Sequence, residues 1–207
     1  MHYFLKITWL VCAWSLLTVT SGAQPVTNIA AGYEHSLFLK GDGSLWGMGY
    51  NNDGQLGDGT YDQANYPEQI VASNVTAIAG GSYHSLFLEK DGSAWAMGWN
   101  NAGQLGDRTC NTTNYPEQII ASNVAMIAAG AYHSLFLETD GSLWAVGDNE
   151  DGELGDGTYI TTNLLQQILT SNVTAIAAGD GHSLFLKKNG SLWGMGANIY
   201  GELYMCA

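Results

Sequence analysis

Positive charge is scarce in this chain of 207 residues: six Lys and Arg stand against 19 Asp and Glu, a formal net charge of −13. Only 12% of the residues are charged, about half the ~25% of an ordinary soluble domain. A chain so poor in cations is not built to neutralise phosphates, so neither nucleic acid nor an anionic membrane is expected as a partner. Cysteine is nearly absent as well. Cys12, Cys110 and Cys206 lack the paired spacing that a zinc ribbon or a dithiol motif requires, and sequence leaves open whether Cys110 and Cys206 pair. Proline occurs three times, and no stretch carries a helical period of apolar positions. What is plentiful is glycine, 27 residues, within a sequence that is 46% apolar and 11% aromatic. That composition can bury a core, which excludes a disordered or collagen-like chain.

The first segment, MHYFLKITWLVCAWSLLTVTSGA, places one cation, Lys6, before an uncharged apolar stretch from Ile7 to about Val19. Small residues follow at Ser21, Gly22 and Ala23. That order reads as a signal peptide over residues 1–23, cleaved after Ala23. The apolar run, about 13 residues, is too short to span a bilayer. The mature chain, 24–207, is therefore expected to be secreted to an extracellular or periplasmic space, with no membrane contact. Cleavage removes Lys6 and no acid, which leaves five cations against 19 acids, a net charge of −14.

An internal repeat organises everything after the signal. His35, His84, His133 and His182 are 49 residues apart, and Trp46, Trp95, Trp144 and Trp193 keep the same interval. The unit reads V-x-x-I-A-x-G, H-S-L-F-L, D/N-G-S-L-W, N-x-x-G-Q/E-L-G-D-G-T and Y-P-E-Q-I-I-A-S-N. Three copies cover 26–74, 75–123 and 124–172, and a fourth, 173–207, departs from the pattern after Leu203.

Within a unit the apolar runs are short and bounded by Gly, Asn and Asp, which predicts strands. VTNIA forms a first strand. HSLFLK (35–40) and SLWGMG (44–49) flank Gly41-Asp42-Gly43, whose Asp-Gly pair predicts a tight two-residue hairpin turn. NNDGQLGDGT is a loop, and PEQIVA (67–72) a fourth strand with Pro67 at its start. Four short antiparallel strands per unit, repeated, predict an all-β propeller of about four blades.

The same residues carry a resemblance. The unit G-x-x-H-S-L-F-L-x-x-D-G-S-L-W-x-x-G-x-N-x-x-G-Q-L-G-D-G-T resembles the repeat of the regulator of chromosome condensation 1 family, and the match runs through the whole mature chain. That resemblance implies a propeller of the seven-bladed type, of which four blades form an incomplete ring. The family's named eukaryotic member is a guanine-nucleotide exchange factor that binds nucleosomes, and a secreted bacterial relative caps β-lactamases with loops on one face. For a secreted acidic chain, the resemblance implies protein binding rather than exchange.

Each repeated residue has a structural explanation. A His in every unit is a hydrogen-bonding strut rather than a metal ligand, and the four Trp are expected in the core between blades. The third loop gathers Asp148, Asn149, Glu150, Asp151 and Glu153, yet the second has Trp99, Asn101 and Ala102 there, so no calcium site is expected. No nucleophile elbow appears, so no catalytic residue, metal or cofactor is assigned. Function is sought where the copies differ: Tyr33, Ser82, Ala131 and Asp180; Glu34, Tyr83, Tyr132 and Gly181; Tyr50, Trp99, Asp148 and Ala197. These slots fall in turns, where a propeller presents its faces. The candidate binding residues are Trp99, Tyr50, Asp148, Tyr83 and Tyr132, for a protein partner. An enzyme with a site in the channel is the alternative. Open blade edges are expected to favour self-association.

Overall fold

The computed structural model describes residues 24–203, so the expected signal segment and Cys206 lie outside the described residues. Fifteen strands form four antiparallel sheets in chain order, with no helix among the described residues. Blade 1 holds β1 (Val26–Ala31), β2 (His35–Lys40), β3 (Leu45–Gly49) and β4 (Ala64–Val71). Blade 2 holds β5 (Val75–Gly80), β6 (His84–Glu89), β7 (Ala94–Gly98) and β8 (Thr113–Ile120). Blade 3 holds β9 (Val124–Ala129), β10 (His133–Glu138), β11 (Leu143–Gly147) and β12 (Thr162–Leu169). Blade 4 shows β13 (Val173–Ala178), β14 (His182–Lys187) and β15 (Leu192–Gly196). The first strand of each blade contacts the first strand of the next, so β1, β5, β9 and β13 lie innermost. This is the all-β propeller architecture that the repeat predicts.

Alternation along the second strand decides how blades stack, because successive side chains leave opposite faces of a sheet. In HSLFL the two Leu point one way and the Phe the other. Leu37, Leu39 and Leu45 of blade 1 pack against Val75, Phe87, Met97 and Ile78 of blade 2. Blade 2 repeats the arrangement with Leu86 and Leu88 against Phe136 and Val146. Blade 3 does so with Leu135, Leu137 and Leu143 against Phe185 and Met195. Each junction thus joins a Leu face to a Phe face. The outermost such faces are open in the described structure: Ile29 of blade 1 is 76% exposed and Leu192 of blade 4 is 48% exposed.

Three local expectations need correction. The fourth strand begins earlier, at Ala64, and Pro67 lies inside it rather than at its start. Pairing with β3 slips there, from Gly47↔Glu68 to Gly49↔Ala64, and on an irregular outer edge a missing N–H costs little. The hairpin turn carries positive φ only at its last residue, Gly43 (φ 80), with Gly43 N–H donating to Lys40 O at 2.9 Å. It is a three-residue connection with one left-handed glycine, not the two-residue turn that needs two positive φ values. The Trp side chains are not the centre of the junctions. Phe87 and Phe136 are 1% and 0% exposed, whereas Trp46, Trp95 and Trp144 are half-buried and Trp193 is 47% exposed. Each indole N–H donates to the Ser Oγ two residues before it, at 2.8 Å for Trp46 and Ser44. That bond anchors the ring's polar edge at the rim, while its face stacks on Phe38, Phe87 or Phe185 in the neighbouring strand.

Candidate functional site

The first three of the repeated His each bridge two blades. His35 Nε2 lies 2.8 Å from Ser85 Oγ, His84 Nε2 3.0 Å from Ser134 Oγ, and His133 Nε2 2.8 Å from Ser183 Oγ. Ser85 Oγ donates its only proton to Gln55 O at 2.7 Å, and Ser134 Oγ does the same to Gln104 O. The Ser oxygens therefore accept from the His Nε2–H, which fixes that tautomer and leaves Nδ1 as a bare buried acceptor. Burial holds the imidazoles well below their ordinary pKa: His35 and His133 to about 4, His84 to about 3. For His84 the charges of His133 and His35 add to desolvation. The Gly of G-x-x-H is needed because a side chain at Gly32, Gly81, Gly130 or Gly179 would occupy the space of the His ring three residues on.

The strands run between two ends of the propeller. One end carries the 41–43 type hairpin turns. The other carries the turns at 32–34, 81–83, 130–132 and 179–181, together with the long loops at 50–63, 99–112 and 148–161. Those loops are rigid for a reason visible in the sequence. Asn51, Asn100 and Asn149 are wholly buried. The Asn51 Nδ2 donates to Asp58 Oδ1 at 3.1 Å and to Thr60 O at 3.2 Å, while its Oδ1 accepts from Leu56 N at 2.9 Å. Asn100 and Asn149 repeat this pattern.

On this loop end the divergent slots meet. The β3-end residue of each blade hydrogen-bonds back to the turn before β2: Tyr50 N to Glu34 O, Trp99 N to Tyr83 O, and Asp148 N to Tyr132 O, all at 2.8 to 2.9 Å. Tyr83 is the hub. Its ring centroid lies 5.8 Å from Tyr33, 6.3 Å from Tyr50 and 6.2 Å from Tyr132, and Trp99 lies 5.0 Å from Tyr132. Desolvation, then the neighbouring Tyr132, Tyr33, Glu34 and Tyr50, raise the Tyr83 phenol above its usual range. Four of the five sequence-derived candidates, Tyr50, Tyr83, Tyr132 and Trp99, thus form one contiguous aromatic surface across three blades. Asp148 stands at its end without a ring contact, its Oδ1 accepting from Thr161 Oγ1 at 2.8 Å and from Asn149 N at 2.9 Å.

Two further residues of this end lie outside the candidate binding residues read from sequence. Tyr33, 69% exposed, extends the row on the far side of Tyr83, and its slot was visible as one where copies differ. Glu153 is only 4% exposed and replaces the buried Gln55 and Gln104 of the earlier copies. Burial, followed by Asp148 and Asp151, raises its carboxyl above the ordinary range.

Comparison with known proteins places this geometry. The model of the regulator of chromosome condensation repeat matches residues 42–88, 91–137 and 140–186, each match running from one blade's hairpin into the next blade's second strand. A second model of the same repeat matches 26–55, 75–104, 124–153 and 173–202. No curated protein matches the sequence. Among solved structures, human WBSCR16 is 26% identical with a TM-score of 0.76, over 84% of this chain and 47% of that one. Prp20p, the RCC1 protein of Saccharomyces cerevisiae, is 26% identical with a TM-score of 0.74, over 90% of this chain and 48% of that one. It has also been solved with Kap60 bound, where the likeness covers 86% of this chain and 45% of that one. The chain thus spans about half the length of these solved relatives. With its repeat matched over most of the described residues, the chain belongs to the regulator of chromosome condensation repeat family.

Proposed function

We propose that this protein is a secreted, non-catalytic interaction scaffold that holds a protein partner on the loop end of its propeller. One observation carries the reading: slots that differ between otherwise near-identical copies supply aromatic residues that meet in a single surface around Tyr83. Rigid aromatic rings provide contact area at low entropic cost, and they recur at the energetic centres of interfaces. Prp20p, solved together with a study of its binding to Gsp1p and histones, lends support from a related protein with macromolecular partners. The mouth of the axis on this end is lined mostly by small residues such as Gly32, Gly81, Ala131 and Gly179, with Tyr33, Ser82 and Asp180 as its polar side chains. Exchange-factor activity, the other family analogy, acts on a nuclear GTPase and does not suit a chain directed out of the cell by a signal.

The test pairs wild type with a Tyr83→Ala, Trp99→Ala double variant. The expected result is a partner retained from the protein's own extracellular fluid by wild type and lost by the variant, with unchanged thermal unfolding. Equal retention by both refutes the assignment of this face. Amino-terminal sequencing of secreted material is expected to begin at Gln24, and Met1 retained on a membrane fraction refutes secretion. The reading extends to association between copies through the exposed flanks of blades 1 and 4.

A further inference from the structure

Charge is divided between the two ends of the propeller. All four described lysines, Lys40, Lys90, Lys187 and Lys188, sit at the hairpin end, where five carboxylates leave a net charge of −1. The turns and loops of the aromatic end carry twelve carboxylates and one cation, Arg108, for a net charge of −11. Arg108 follows Asp107 in the loop of blade 2 and stacks on no ring among the described residues. The carboxylates bracket the aromatic surface. Glu34 follows Tyr33 and lies beside Tyr83. On the other side, Asp148 is bonded through its N–H to Tyr132 O, and Asp180 O accepts from Ala131 N at 3.1 Å.

The hairpin end shows what this fold does with a cation near an indole. Lys40 Nζ lies 3.4 Å from the Trp46 ring centroid, and Lys187 Nζ lies 4.1 Å from that of Trp193. No described cation covers Trp99, Tyr83 or Tyr132 in this way. Their electron-rich faces stand at the end of the propeller that carries the twelve carboxylates, which is the surround that a cationic head group seeks.

Resting on the scaffold reading above, we infer that the aromatic end docks an extended lysine- and arginine-bearing segment of a partner polypeptide. The cationic heads lie over the rings of Tyr83, Tyr132 and Trp99, and their charge faces Glu34, Asp148 and Asp180. Long-range attraction by the net negative end adds a salt-sensitive component to association.

A displayed library of random peptides, about 12 residues long, separates this inference from the reading beneath it. Peptides are selected on the immobilised mature protein and counter-screened on two variants, Trp99→Ala/Tyr132→Ala and Glu34→Gln/Asp148→Asn/Asp180→Asn, each checked by its unfolding transition. The expected peptides are rich in Lys and Arg and bind each variant at least tenfold more weakly. Their affinity also falls steeply as salt rises from about 0.05 to 0.5 M. Ring-dependent peptides that are neutral or acidic, or that bind the charge-neutralised variant as well as wild type, overturn the cationic occupant and leave the scaffold reading standing. Absence of any ring-dependent peptide removes both.

Discussion

Acidification to pH 5 is expected to strip the protein of most of its stability, through the three buried His rather than through its many carboxylates. His35, His84 and His133 have folded-state pKa values of about 4, 3 and 4, against about 6.5 in an unfolded chain. Because the folded values are lower, the unfolded state takes up protons first. The stability these residues confer is complete above pH 6.5 and is lost as pH falls from there toward 4. Each contributes a slope of about 1.4 kcal/mol per pH unit, so at pH 5 each has given up about 2 kcal/mol and the three together about 6 kcal/mol. That is comparable to the whole stability of many domains. Asp42, Asp91 and Asp140, held low by hydrogen bonds from the Ser two residues on, act only below their ordinary range and do not overlap this window. Urea unfolding at pH 7.5, 6.0 and 5.0, followed by tryptophan fluorescence, measures the slope. His84→Gln is expected to be less stable than wild type at pH 7.5 but to lose about a third less on acidification. A urea midpoint unchanged between pH 7.5 and 5.0 refutes the argument that these rings stay neutral in the junctions.

The remaining predictions concern single positions. Glu153→Gln restores the residue of the other copies and keeps the acceptor that Asp151 N uses. With the Glu153 carboxyl raised in the fold, its neutral form is favoured, so the substitution is expected to raise the unfolding midpoint at pH 7 and to gain nothing at pH 4; equal unfolding midpoints at pH 7 contradict it. Phe136→Ala is expected to cost about 3 to 5 kcal/mol and the half-buried Trp144→Ala about 2 kcal/mol, with the reverse order in chemical denaturation refuting the Phe-centred junction. Gly81→Ala drives a methyl group into the His84 ring and the Gly130 carbonyl, which is expected to cost about 2 to 4 kcal/mol; a wild-type melting temperature would show that the ring can move. Residues 24–207 expressed alone are expected to sediment as dimers or larger species at micromolar concentration, through the open Leu face of blade 4 and Phe face of blade 1, and a single monomeric boundary refutes this.

The 49-residue period made the blades legible because every junction uses the same residues at the same offset, so sequence repetition and structural repetition coincide. What the period concealed is which residue fills the junction. Both faces of a blade are buried, so HSLFLK and SLWGMG show no polar side to orient them, and Trp46 and Phe38 look equivalent until pairing places them side by side. The early start of β4 was hidden by Tyr66-Pro67, which reads as a turn but sits on an irregular outer edge. The slots of the aromatic surface could be identified where copies differ. Their contact could not, since Tyr33 reaches Tyr83 only through the rotation between blades, a quantity no single unit contains. Glu153 was read only as one acid of a calcium-like loop because an acid in a loop looks solvated, whereas the next blade's Gly196 comes close to its backbone.

The sameness of the three junctions has a consequence for folding. Little in the Leu face of blade 1 addresses it to blade 2 in particular, since the Phe face of blade 3 differs mainly in Val146 for Met97 and offers the same Ser oxygen to the His. Selection of the right neighbour falls to the short connections between blades, Asn74, Asn123 and Asn172 in left-handed conformation at φ 74, 71 and 73. Those three turns act as labels on near-interchangeable parts. Lengthening them with flexible residues removes the label while leaving every contact intact, and blades would then exchange partners within and between molecules.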